Sequence, residues 1–296
     1  IAELDQPTGP SMAFRFELAR KAFEHTGAYD TAIASTLGEV KVTGAEFERP
    51  GSGTQAQSPQ SLNIHASKLR DLRYGENPHQ PAAWYSLEPA GLGAPAILQG
   101  KELSFTNLID LDAAARIVLE FDEPAASVIK HTNPCGAATG ANAVDAYVGA
   151  READPLAAFG GIVGLNRAID ADTARAITST FIEAVIAPSV DDAALPILAA
   201  KQNMRVVVPD GPAAKAGVDF EVRSIIGGLL VQERDVVREA HQPWPTADLK
   251  VVTRRQPTAE EWQALRFAWR ICAHVKSNTV IFTSADRTLE IGRAHV

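Results

Sequence analysis

The run Ala125-Ala126-Ser127-Val128-Ile129 is short, apolar and long enough for a buried parallel strand, and it ends abruptly in Lys130-His131. A tight Asn133-Pro134-Cys135-Gly136 turn is expected next, then a helix from about Asn142 to Arg151. This strand–turn–helix unit points to an α/β fold, in which ligands sit in the crevice beyond the carboxyl ends of strands. A cation and an imidazole delivered together at that point suit proton transfer beside an anionic or polarised substrate. Strand ends are also commonly solvated, so the pair alone fixes no chemistry.

From Leu62 onward strands alternate with helices, and the stretch before it reads differently. Residues 11–37 read as two helices, with Phe14, Leu18 and Ala22 on one face, Tyr29, Ile33 and Leu37 on another, and Gly27 between them. Both are expected to serve core packing. Gly38 ends that pattern, and the stretch from Arg49 to Gln60 is loop-like, as a linker would be. Asp110 is placed to cap a helix that buries Ala113, Ala114, Ile117, Val118 and Phe121. Strands are expected at 161–165, 184–187 and 206–208, with helices opened by Asp170 (Ala174, Ile177 and Phe181 inward) and near 191–200. Thr258 and Glu261 form a capping box ahead of a core stripe of Trp262, Leu265, Trp269 and Cys272, and residues 279–283 return to strand. The whole argues for an α/β domain with largely buried sheets.

With 296 residues, 46% of them hydrophobic, the chain has room for one large or two ordinary domains. A net charge of -8 argues against nucleic acid or an anionic membrane as the main partner, so an anionic substrate must be held by local cations. No run approaches the ~20 apolar residues of a membrane span. Cys135 and Cys272 supply no disulfide framework, which points to a reducing cytoplasm. Pro134-Cys135 has the start of a zinc deaminase motif, but Ala138 stands where the second cysteine belongs and no His-x-Glu precedes it. No metal is expected, and Cys135 reads as a small turn residue. No dinucleotide fingerprint, Walker A lysine or nucleophile elbow is found.

Six words in order carry more information: Leu72-Arg73-Tyr74-Gly75-Glu76-Asn77-Pro78-His79-Gln80, Gln99-Gly100-Lys101-Glu102-Leu103-Ser104-Phe105-Thr106-Asn107, Lys130 to Gly136, Asp154-Pro155-Leu156-Ala157-Ala158-Phe159-Gly160-Gly161, Lys201-Gln202-Asn203-Met204-Arg205 and Val275-Lys276-Ser277-Asn278. As a set, they closely resemble the bifunctional purine-biosynthesis family that joins aminoimidazole carboxamide ribonucleotide (AICAR) transformylase to IMP cyclohydrolase. The resemblance runs from the first residues to about Thr288. It implies a chain truncated at both ends, with residues 1–38 as the remnant of the cyclohydrolase domain, 39–61 as linker and 62–289 as the N-terminal part of the transformylase domain. The fold it implies is a cytidine-deaminase-like mixed sheet flanked by helices, preceded by a short helical remnant. Residues 290–296 look like translated sequencing adapter and are left out of the fold reading.

The same resemblance implies a phosphoribosylaminoimidazolecarboxamide formyltransferase, using 10-formyltetrahydrofolate as co-substrate and AICAR as acceptor. His131 matches the proton-shuttling histidine, Lys130 its adjacent lysine, and Asn278 an asparagine near the amine. Arg73 and Tyr74 match a nucleotide-contacting pair, with His79 in the same loop. Asn107 matches a residue near the ring or ribose, Phe159-Gly160 a pocket-lining loop, and Glu183 a position held by aspartate in some relatives. The resemblance also implies a homodimer with shared sites, and relatives continue into a Gly-rich loop with another substrate-contacting arginine and a second transformylase subdomain, so the fragment alone is expected to be inactive. A folded piece that binds nucleotide phosphate through Arg73 and Tyr74 without chemistry is the alternative.

Overall fold

A computed structural model describes residues 3, 4, 7, 9–38, 40–43, 46–48, 62–211 and 220–293. The chain divides into two compact units, Ile1–His65 and Ala66–Val296. The first contains α1 (Met12–Gly38) and an antiparallel pair, β1 (Lys41–Thr43) and β2 (Glu46–Glu48). One uninterrupted helix thus replaces the two expected over 11–37. A glycine inside a helix costs about 1 kcal/mol relative to alanine, too little to force a break at Gly27. Of the apolar side chains expected to pack in a core, Leu18, Ala22, Tyr29, Ile33 and Leu37 are exposed, and Phe14 is half-buried. The linker reading at 49–60 lies outside the described residues.

The second unit opens with β3 (Ser67–Leu72) and β4 (Ala82–Ser86), an antiparallel pair. Then follow β5 (Gly91–Gln99), α2 (Phe105–Val118), β6 (Ala125–Lys130), β7 (Asn133–Thr139), α3 (Ala143–Ala153) and α4 (Pro155–Ala158). Next come β8 (Ile162–Leu165), α5 (Ala171–Thr178), β9 (Ala184–Ile186), α6 (Leu195–Ala199) and β10 (Arg205–Asp210). A hairpin of β11 (Phe220–Ile225) and β12 (Gly228–Glu233), α7 (Ala259–Cys272), and the pair β13 (Thr279–Thr283) and β14 (Thr288–Arg293) complete it.

Six strands form one mixed sheet in the order β5-β10-β9-β8-β6-β7. Only β10–β9 and β9–β8 pair in parallel; β6 is antiparallel to both of its neighbours, which corrects the expected parallel strand. The expected Asn-Pro-Cys-Gly turn is in fact the start of β7, and the chain reverses one step earlier, at His131-Thr132. Alternate residues explain the apolar run. Val128, Val163, Val185 and Val206 face a core with Tyr147 of α3, Ile177 of α5 and Leu198 of α6. Their neighbours Ile129, Ile162, Ile186 and Val207 face another with Leu111 and Ile117 of α2 and Phe267 and Ile271 of α7. Burial of both faces, not strand direction, is what the continuous apolar pattern encodes.

Ser104, not Asp110, caps α2, in a capping box with Asn107, while Asp110 lies within the helix. Asn142, Asp170 and the Thr258–Glu261 box cap α3, α5 and α7. Phe181, expected to point inward from α5, lies beyond that helix and is exposed. On α7 the buried residues are Phe267, Arg270 and Ile271, whereas Leu265 and Trp269 are nearly half exposed. The Trp262 and Trp269 rings instead lie 6.3 and 6.2 Å from that of Trp244. The Thr288 hydroxyl donates to the Ala137 carbonyl and accepts from its N–H, tying β14 to β7. Pairing of β14 with β13 includes residues 290–293, and 294–296 lie outside the described residues. Among the described residues, no helix is long and apolar enough to cross a membrane.

Candidate active site

Lys130 pairs with Asn133 across the β6–β7 hairpin, so His131 and Thr132 form its two-residue tip. Their φ angles are 53° and 62°. Such a turn needs left-handed backbone at both positions, which Asn-Gly supplies readily. Histidine and β-branched threonine there carry strain, on the order of 1–3 kcal/mol per residue. The tip is braced from three directions. Thr132 N–H donates to Asp110 Oδ1 of α2 at 2.7 Å, and Lys276 Nζ, from the segment after α7, donates to Thr132 Oγ1 at 3.1 Å. Within the hairpin, Thr132 Oγ1 and Asn133 Nδ2 both donate to the His131 carbonyl.

Lys130 is half-buried, and its Nζ donates to the Phe159 carbonyl at 2.6 Å. An ammonium has three protons, so two remain for a ligand. Gly160 follows with φ 69°, and its N–H donates to the Phe181 carbonyl. A Cβ at Gly160 would sit 3.2 Å from the Phe181 ring and 3.5 Å from Lys130 Nζ, so only glycine fits without strain. The Phe159 and Phe181 rings pack at 5.3 Å.

Asn107 is buried, and its Nδ2 donates to Glu183 Oε1 at 3.1 Å. The same oxygen accepts from Arg205 Nη1 at 3.1 Å, and Arg205 also donates to the carbonyls of Lys101 and Glu102. Burial pushes the Asp110 carboxyl above its ordinary value; the Thr132 N–H and the charges of His131 and Lys130 oppose this, and Glu183 adds to it. Lys130, Phe159 and Gly160 thus meet beside His131, the Glu183 charge acts on Asp110 at the same tip, and Asn107 joins through Glu183. Asn278 is exposed, two residues beyond the Lys276 that reaches this tip. Cys135 lies in β7, not a turn, and burial pushes its thiol up to about 11.

Arg73 and Tyr74 belong to the loop between β3 and β4. Arg73 is exposed, donates to Tyr74 Oη at 2.8 Å and holds its guanidinium 4.7 Å from the Tyr74 ring centre. The loop is closed by Gln80, which accepts from the N–H groups of Gly75 and Asn77. Arg73 and His79 line an open hollow of ≈ 370 Å³ with Asp71, Pro78 and Gln80. Among the described residues, no hydrogen bond or ion pair links Arg73 or Tyr74 to the Lys130 group.

Three residues at the tip or its surround escaped the sequence reading as site members: Asp110, Arg205 and Lys276. Arg205 and Lys276 lie inside two of the family words, which was the available signal; Asp110 has none, because its bond spans 22 positions. Among the described residues, no group of three or more His, Cys, Asp or Glu side chains is placed to hold a metal ion.

The family model described as "AICARFT/IMPCHase bienzyme" matches residues 1–296. The chain is 48% identical over 296 residues to the bifunctional purine biosynthesis protein PurH of Trichormus variabilis, covering 99% of this chain and 53% of that protein. Against PurH of Myxococcus xanthus it is 46% identical over 302 residues, covering 99% and 55%. PurH of Anaeromyxobacter dehalogenans is likewise 46% identical over 302 residues, with 98% and 55% covered. The chain spans about half the length of the curated relatives it matches.

Proposed function

The chain belongs to the AICARFT/IMPCHase bienzyme family, and we propose from that premise that the protein containing it transfers a formyl group in purine biosynthesis. The acceptor is the amine of AICAR and the donor 10-formyltetrahydrofolate; the same protein then cyclises formyl-AICAR to IMP. The observation that carries this reading is the braced tip, which holds His131 beside Lys130 within a ring of polar groups.

The chemistry asks for what those groups supply. The AICAR amine is conjugated with its ring and carboxamide, so its lone pair is a poor nucleophile. As nitrogen attacks the formyl carbon, the amine proton passes to His131 and the carbonyl oxygen becomes an oxyanion. Lys130 has two free N–H donors to stabilise that oxygen. Collapse breaks the bond to the folate nitrogen, which takes up a proton as tetrahydrofolate leaves. Asn278 orients the amine without competing for its proton. Arg73 and Tyr74 take the nucleotide phosphate, with His79 beside them, since a guanidinium binds a phosphate bidentately. Asn107 and Glu183 meet the nucleotide, and Phe159-Gly160 line the pocket.

In this reading residues 62–289 are the N-terminal part of a transformylase domain with a cytidine-deaminase-like sheet. Residues 1–38 close the cyclohydrolase domain and 39–61 link the two. The protein works in the cytoplasm as a homodimer with shared sites. Assay of the protein at the full length of its relatives, with AICAR and 10-formyltetrahydrofolate, tests the proposal. Turnover within about 1–10³ s⁻¹ is expected. Nucleotide binding without formyl transfer would leave the non-catalytic reading in its place.

A further inference from the structure

Two unfavourable features coincide at the hairpin tip. His131 and Thr132 both hold left-handed backbone, and Asp110 keeps a carboxyl group half-buried beside them. Neither is needed to make a hairpin: Asn-Gly closes the same turn without strain, and an apolar residue on α2 would avoid desolvation. What joins them is one short bond, Thr132 N–H to Asp110 Oδ1 at 2.7 Å. The other charged groups facing this point are Lys130 on the hairpin, Glu183 ahead of β9 and Lys276 after α7.

We infer that Asp110 is a positioning residue for the formyl transfer: by accepting the Thr132 N–H it holds the His131–Thr132 turn left-handed and so sets where the imidazole meets the amine. This rests on the reading of His131 as the proton carrier. Asp110 touches no reacting atom. It acts through the backbone, from a helix anchored in the core by Leu111, Ala114 and Ile117, so the tip inherits the rigidity of α2. Misplacement of a proton carrier by about 1 Å costs about 10²-fold in rate, which makes such a clamp matter.

The test uses Asp110→Ala and Asp110→Asn in the full-length protein, comparing hydrogen exchange at the Thr132 amide with steady-state kinetics. In Asp110→Ala, exchange should quicken about tenfold or more as a charge-assisted bond is lost. Its kcat should fall about 10- to 100-fold while the nucleotide KM stays within about twofold. Asp110→Asn keeps an oxygen acceptor and should restore most of both. Unchanged exchange in Asp110→Ala overturns the clamp. Faster exchange with unchanged kcat overturns the positioning role, as does an equal loss of kcat and nucleotide binding. If the alanine variant fails to fold, Asp110→Asn decides: a large loss of kcat with the Thr132 amide still protected overturns the proposal. A His131→Ala protein that keeps its kcat defeats the reading of His131 instead, and the exchange comparison still decides the clamp.

Discussion

The hairpin tip at 130–133 and the loop at 73–80 carry opposite halves of the proposed chemistry and are built in opposite ways. Thr132 is held by α2 and by the segment after α7, and Lys130 by the loop after α4. Arg73, by contrast, is exposed and bonded to the residue next to it. The difference follows from the tasks. A group that moves a proton must stand within hydrogen-bond reach of one atom, so its backbone has to be fixed. A guanidinium that meets a phosphate acts by charge and a planar fork, and stacking on Tyr74 is sufficient to present it.

Three measurements would break or sharpen that contrast. The largest effect is expected from His131→Ala in the full-length protein, where loss of a general base should lower kcat by about 10²- to 10⁴-fold. The nucleotide KM should barely change, and equal activity in mutant and parent would remove His131 from the reaction. Next comes Arg73→Ala. Loss of charged hydrogen bonds worth about 1.5–3 kcal/mol should raise the nucleotide KM roughly 10- to 100-fold with kcat nearly intact. A fall in kcat with unchanged KM would show that the two regions are not divided as proposed.

The smallest effect is on stability. Burial raises the Asp110 carboxyl above its ordinary 3.8, so across that range the folded chain keeps a proton the unfolded chain has released. The stability this lends is present below the unfolded value and lost as pH rises through the raised one. Wild type should therefore lose stability relative to Asp110→Asn between acid and neutral pH, measured by urea denaturation at a series of pH values. The opposite trend would mean that the ionised carboxylate stabilises the fold, making the clamp a structural device.

Much of the layered core was legible from local pattern. The continuous apolar run through Val128 and Ile129 marked a buried strand, and Asn142, Asp170 and Thr258 marked the helix starts they do cap. The direction of β6 was not legible, because a run buried on both faces looks the same whether its neighbours are parallel or antiparallel. Asp110 was misread for a similar reason: an aspartate near a helix start suggests a cap, yet Ser104, six positions earlier, makes the capping bond. On α7, the stripe through Trp262 and Trp269 competed with the face through Phe267 and Ile271, and periodicity alone could not say which met the sheet.

By itself the sequence determined that an imidazole follows an ammonium at the end of a core strand, since neighbours in the chain stay neighbours in any fold. It also determined family membership, through words whose order needs no coordinates. Only the tertiary structure decided that Asp110 and Lys276 meet at Thr132, from 22 and 144 positions away. Nor could local pattern bring the Asn107 and Arg205 donors onto one carboxylate oxygen of Glu183. Such bonds depend on strand order and register, which are set by burying both faces of the sheet at once, and no local stretch of chain contains that information.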